Sequence, residues 1–111
     1  MISKELVAAS TVPLVLAMLG RGESYGYELT RQIQEMSEGQ IAWSEGMLYP
    51  VLHWMEQQGL IESEWRVEQA RKRKYYRIRA DGKKALKQQR EHWKALNSLL
   101  EQLCQPQRHS I

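Results

Sequence analysis

The chain has 111 residues, 42% of them apolar, with four Trp, five Tyr and no Phe; that suffices for one domain with a modest core and excludes a disordered chain. Its single cysteine, Cys104, excludes an intramolecular disulfide and a cysteine-built zinc site, and fits a reducing, cytoplasmic setting. The net charge of +3 is unevenly spread: residues 1–65 hold three Lys/Arg against nine Asp/Glu, residues 66–79 seven against one, and residues 80–111 six against three, so the middle stretch points to a polyanionic partner unless it is only a solvated charged hairpin.

The first helix is expected from about Ser3 to Gly20. Its apolar run, Val12 to Leu19, is shorter than the roughly 20 residues a bilayer span needs. It lacks the charged leader and small-residue cleavage pattern of a secretory signal. It therefore reads as a core helix, with no membrane partner. Ser10 or Thr11 can cap its second part, with Pro13 in that part's first turn, so a kink or break is expected near residue 11. The run is apolar nearly all round, which asks for cover on most sides and hints at a second subunit.

"GRGES" (Gly20 to Ser24) reads as a turn. Ser24 can cap a second helix to about Glu38, with Leu29, Ile33 and Met36 at helical spacing and Gly39 ending it. After a short link, Ser44 can cap a third helix in which Leu48, Leu52 and Met55 form a stripe joined by Val51; Gly59 stops it. Two short helices joined by a tight link form a helix-turn-helix pattern. "LIESEWR" and "RKYYRIR" then show partial period-two alternation and read as a β-hairpin, with Val67 to Lys72 between the strands. From Asp81 to about Gln105 helical periodicity returns. Leu86, Trp93 and Leu100 are seven apart, and Gln89, Leu96 and Leu103 make a second row, a three-heptad seam with one polar member. That seam packs either on a second copy of the chain or on its own first helix.

A helix-turn-helix followed by a basic hairpin is a winged helix: a mainly α fold with a small two-stranded β-wing. Residues 1–79 form the winged-helix domain, 80–105 a dimerisation helix and 106–111 a polar tail. In such proteins the second helix of the pair enters the major groove, N-terminal end nearest the bases. This explains why "SEGMLYPVLHWMEQQG" (Ser44 to Gly59) weakens its own front half with Gly46 and Pro50, the two costliest helix residues. Gly46 lets the backbone approach a phosphate or sugar. Met47, Tyr49, Pro50 and His53 share the face away from the stripe. Tyr49 offers a hydroxyl to phosphate, Pro50 and Met47 apolar surface to a thymine methyl, and His53 a donor. Ser44 and the free N–H groups of the first turn make a phosphate site. Arg71, Lys72, Arg73 and Lys74 at the wing tip and inner strand, followed by Arg77 and Arg79, supply Coulomb attraction. Of Tyr75 and Tyr76, which point to opposite faces, Tyr76 is expected to join Ile78 in the core, leaving Tyr75 to contact Trp65 or DNA. No nucleophile–base pair, metal-ligand spacing or glycine-rich phosphate loop is present, so no enzyme, cofactor or metal is indicated. The alternative is a winged-helix module for protein–protein contact, with the basic wing binding an acidic partner.

"YGYEL" (Tyr25 to Leu29), "EGMLYPVLHWMEQQGLIESEW" (Glu45 to Trp65) and "RKYYRIRADGKKAL" (Arg73 to Leu86) resemble the PadR-type transcriptional regulators, bacterial winged-helix repressors. The likeness spans about residues 4–100. It implies a homodimer joined through the C-terminal helices, with Leu86, Gln89, Trp93, Leu96, Leu100 and Leu103 at the interface. It also implies a pseudo-palindromic duplex DNA operator, read by recognition helices in adjacent major grooves with wings reaching the flanking minor groove. Tyr27 resembles the family's tyrosine near the DNA backbone at the start of the second helix, and Ser24 is grouped with it. The resemblance suggests repression of the protein's own or a neighbouring gene. Trp93 resembles a tryptophan of short members that bind flat aromatic compounds at the dimer interface; the same residue would otherwise simply fill the dimer core. Met47 stands where threonine is usual, Trp54 where a basic residue is common and Arg79 where threonine often caps the last helix. The wing tip, "VEQARKR", lacks the usual glycines.

Overall fold

The structure, a computed structural model, describes residues 1–106; most of the polar tail assigned to 106–111 lies outside the described residues. Four helices, α1 (Lys4–Gly20), α2 (Gly26–Met36), α3 (Glu45–Gln57) and α4 (Ala80–Cys104), accompany three strands, β1 (Ser24–Tyr25), β2 (Ile61–Glu68) and β3 (Arg71–Ile78). The sheet is antiparallel in the order β1-β3-β2. It has one strand more than the expected two-stranded wing. No helix among the described residues is long and apolar enough to cross a membrane.

The core lies where the inner faces of α1, α2, α3 and the base of the sheet meet. Val15, Leu16, Leu29, Leu48, Leu52, Met55, Ile61 and Tyr76 are buried there. Tyr76 and the partly buried Ile78 take the inward places expected of them. The α3 stripe is wholly enclosed, and Val51 packs at its margin. Ser44 caps α3 as expected, its Oγ accepting from the Met47 N–H at 3.2 Å. Gly59, at φ 76°, closes the other end: its N–H reaches the Glu56 carbonyl and that of Leu60 the Met55 carbonyl, both at 3.0 Å. This paired arrangement satisfies carbonyls a helix end otherwise leaves open.

Three local expectations are corrected. First, α1 is unbroken through Pro13. Its cap is Ser3, which accepts from Leu6 N–H at 3.3 Å. The Ser10 and Thr11 hydroxyls instead donate back to the Val7 carbonyl at 3.1 and 2.7 Å. An interior proline costs about 3 kcal/mol. Burying Val15, Leu16 and Leu19 returns about 1.5–3 kcal/mol each, so packing outweighs the local penalty. Second, Ser24 caps nothing. It sits in β1 opposite Tyr76, α2 begins after Tyr25 without a side-chain cap, and the Ser24 hydroxyl donates to Glu28 Oε1 at 3.0 Å. Third, α2 ends at Met36 rather than Glu38, and Met36 is exposed, because the chain turns at Glu38 and Gly39, both at positive φ.

The wing strands run further than expected. Pairing continues to Glu68 opposite Arg71, leaving Gln69 and Ala70 alone in the turn at φ 51° and 61°. Positive φ at both central residues is what a tight hairpin requires to match strand twist; here non-glycine residues supply it.

Gly82, at the start of α4, has its backbone pressed against the base of the wing. A Cβ built there would lie 2.1 Å from the Leu60 carbonyl oxygen, so no larger residue fits. Leu86 then packs beside Gly20 of α1. Beyond it, α4 leaves the body: Leu96, Leu99, Leu100 and Leu103 are all exposed.

Candidate nucleic-acid interface

The inward stripe of α3 fixes what its other face presents. With Leu48, Leu52 and Met55 enclosed, helical geometry turns Gly46, Pro50 and His53 outward, and all three are exposed. Met47 does not join them fully; it is half-buried and packs against the core. A Cβ at Gly46 would meet nothing within 4 Å. The protein's own packing therefore does not demand glycine at this position.

Tyr49 leans to the side. Its ring covers Gly26, where a Cβ would come within 2.5 Å of the Tyr49 hydroxyl. The ring remains 41% exposed, and partial burial followed by the nearby Glu45 charge raises its hydroxyl pKa. Tyr27 is exposed on the first turn of α2. Between these residues and the wing lies a groove of about 850 Å³, lined by Tyr27, Glu45, Tyr49, Trp65 and Arg71 to Lys74.

Strand alternation divides the basic cluster between two faces of the wing. Lys72, Lys74 and Tyr76 share the inner face with Ser63, Trp65 and Val67 of β2. Arg71, Arg73, Tyr75 and Arg77 share the outer face with Glu62, Glu64, Arg66 and Glu68, as the register shows. The base of the outer face carries a polar network. Arg66 grips Glu23, just before β1, through two bonds of 2.6 and 2.8 Å, and also bonds Glu64. Arg77 Nε donates to Glu62 at 2.7 Å. The hydrogen bond from Arg66 holds the Glu23 and Glu64 carboxyls below the ordinary value of 4.5. Tyr75 donates to Glu68 at 2.9 Å and meets Tyr25 edge-on, with ring centres 5.4 Å apart. It therefore does not face Trp65, contrary to expectation, because the two lie on opposite faces of the sheet.

The available positive charge is thus smaller than the sequence total suggests. Arg66 and Arg77 are matched by carboxylates, and Lys74 Nζ lies 3.5 Å from Glu56. Arg71, Lys72 and Arg73 have no carboxylate partner among the described residues. Arg73 lays its guanidinium over Tyr25 at 4.5 Å. Ser24 is only 4% exposed and tied to Glu28, so it supports β1 from within and does not face the groove. Ser44 is exposed at the N-terminus of α3, where free backbone N–H groups favour an anion.

A helix-turn-helix whose second helix lies beside a basic β-hairpin defines a winged-helix DNA-binding protein. The transcriptional regulator PadR-like family matches residues 15–88. Transcriptional regulator Rv3488 of Mycobacterium tuberculosis is 39% identical over 88 residues, covering 79% of this chain and 77% of that one. A transcriptional regulator structure from Clostridium thermocellum, Cth-833, superposes with a TM-score of 0.86 at 28% identity, covering 95% of this chain and all of that one. A PadR family regulator from Eggerthella lenta gives 0.82 at 32% identity, covering 93% and 88%. The chain belongs to the PadR-like family of transcriptional regulators, and is a DNA-binding regulator rather than an enzyme.

Two features escaped sequence reasoning. The outer-face network needed the register of β2 on β3, which the "EQAR" tip did not reveal. Trp65 on the inner face could have been found: it alternates with Ile61 and Ser63 and so shares their side.

Proposed function

We propose that the protein is a homodimeric repressor of its own or a neighbouring gene, reading a pseudo-palindromic operator with α3 in the major groove and the wing alongside. The observation carrying this is the groove that Tyr49 of α3, Tyr27 of α2 and Arg71 to Lys74 of the wing line together, with Gly46, Pro50 and His53 exposed on the outward face of the same α3. Ser44 is exposed at the start of the same helix, where its hydroxyl accepts from the N–H of the half-buried Met47. Phosphate contacts come from Arg71, Lys72, Arg73, Lys74, Tyr27 and the α3 N-terminus. Pro50 and His53 meet base edges.

Dimerisation follows from what α4 leaves uncovered. The molecule extends 74 Å along its longest axis, and its radius of gyration is 17.2 Å, against about 13 Å for a compact chain of this length. Leu96, Leu100 and Leu103 project from the extended part. A second copy covers them, while Leu86 stays on its own α1, and Gln89 and Trp93 stand at the boundary. Trp93 also lines an apolar groove of about 410 Å³ with Ile2, Leu6, Pro13 and Leu14 of the N-terminal region. A planar aromatic ligand held there, against the partner's Trp93, would favour one spacing of the two heads and release DNA. Trp93→Ala should abolish ligand-induced release and leave operator affinity within about threefold of wild type; loss of the dimer instead would assign Trp93 to packing.

The experiment for the main reading is binding of duplex DNA at two salt concentrations. Affinity should fall steeply as salt rises, with a slope of about −0.9 per phosphate contact, and the protein's own upstream region should be preferred over random sequence. No preference at any salt would favour the acidic-protein partner.

A further inference from the structure

We propose that Trp65 is a DNA-contact residue, packing its indole on a deoxyribose of the operator backbone while Lys72 and Lys74 take the phosphates on either side. This rests on the DNA-binding reading above and adds to it an apolar, salt-independent contact. Trp65 stands on the inner face of the wing, directly opposite Lys74. The inner-face residues nearer the base, Ile61 and Tyr76, are buried, so that face turns toward α3. Trp65 lies beyond the reach of the core and stays 59% exposed, on the wall of the groove that Tyr27 and Tyr49 line opposite. Two ammonium groups hold it: Lys72 Nζ is 5.0 Å and Lys74 Nζ 5.9 Å from the ring centre. Those distances allow cation–π attraction, which restrains the exposed indole on the groove wall.

The arrangement copies the order of groups along a DNA strand. Residues two apart on a strand have Cα atoms about 6.8 Å apart, comparable to the separation of successive phosphates. A sugar lies between those phosphates, and the indole stands within reach of both ammonium groups. Exposed apolar surface set among cations gains nothing from water, and it gains contact when a sugar covers it. Lys74 shares its charge with Glu56 at 3.5 Å, whereas Lys72 has no carboxylate partner among the described residues and is the freer of the two to reach past the ring.

The test is fluorescence anisotropy of a labelled duplex carrying the upstream region, titrated with full-length wild type, Trp65→Ala, Trp65→Phe and Lys72→Ala over a range of salt. Trp65→Ala should lose about tenfold in affinity at every salt concentration, giving a line parallel to wild type. Trp65→Phe should stay within threefold. Lys72→Ala should lower the slope by about 0.9. An unchanged Trp65→Ala affinity, with or without a lower melting temperature, would assign the residue to wing stability and overturn the proposal. A flattened Trp65→Ala slope would do the same, since the indole would then act only by aiming the lysines. Wild type failing to bind duplex DNA at all would remove the underlying reading, an outcome distinct from either.

Discussion

At the scale of single residues, glycines separate positions the fold constrains from one it leaves open. A side chain at Gly26 would displace the partly exposed Tyr49 ring, and Gly82 is required internally by the Leu60 carbonyl. Gly46 is not, since open space surrounds its missing side chain. Gly46→Ala should therefore raise thermal stability, by about 0.5–1 kcal/mol from helix propensity, while weakening operator binding at least tenfold. Calorimetry and a DNA titration on the same variant check both halves; a stabilised variant with undiminished DNA affinity would show that nothing approaches Gly46. Pro50 belongs to the same logic. Its ring lies on the outer face opposite the buried stripe, so its cost falls where packing does not recover it. Sequence pattern made this pair legible, because two helix-weakening residues sat at one end of an otherwise regular helix. It could not separate Met47 from its neighbours, since a half-buried thioether and an exposed one look alike in a spacing count.

Among elements, the wing shows how a charge run can mislead. Seven basic residues in residues 66–79 read as one cluster. Alternation then sends Arg66 and Arg77 to an outer face where Glu23, Glu62 and Glu64 neutralise them. The partners of these arginines come from across the hairpin and from the turn before β1, and Glu23 is 43 residues away from Arg66, a distance no local pattern reports. The hairpin turn carries its own cost. Gln69 and Ala70 both sit in left-handed backbone, which costs a non-glycine residue about 1–2 kcal/mol. Ala70→Gly should relieve part of this and stabilise the protein by about 0.5–1 kcal/mol, read as a higher melting temperature. A lower one would mean that the turn's shape is not held by pairing up to Glu68 and Arg71. The α1 helix teaches the converse lesson. Pro13 predicted a kink or break, and local signals supported it, but α1 continues unbroken, held by the buried side chains on the following turn.

For the whole molecule, the body and the extended α4 have different completeness. The body encloses its core within one chain; α4 presents a row of leucines that nothing among the described residues covers. The heptad spacing announced the row, and left open whether α1 or a second copy would receive it. The structure divides the answer, giving Leu86 to α1 and leaving Leu96, Leu100 and Leu103 exposed. In the proposed dimer, closed through those leucines, two α3 helices would stand at a fixed separation, which would require the operator's half-sites to lie on one face of the duplex. The most direct measurement is affinity for the natural operator against versions with about five and about ten base pairs inserted between the half-sites. Half a helical turn should abolish tight binding, and a full turn should restore much of it. Affinity indifferent to the five-base-pair insertion would contradict a rigid pair of DNA-reading heads.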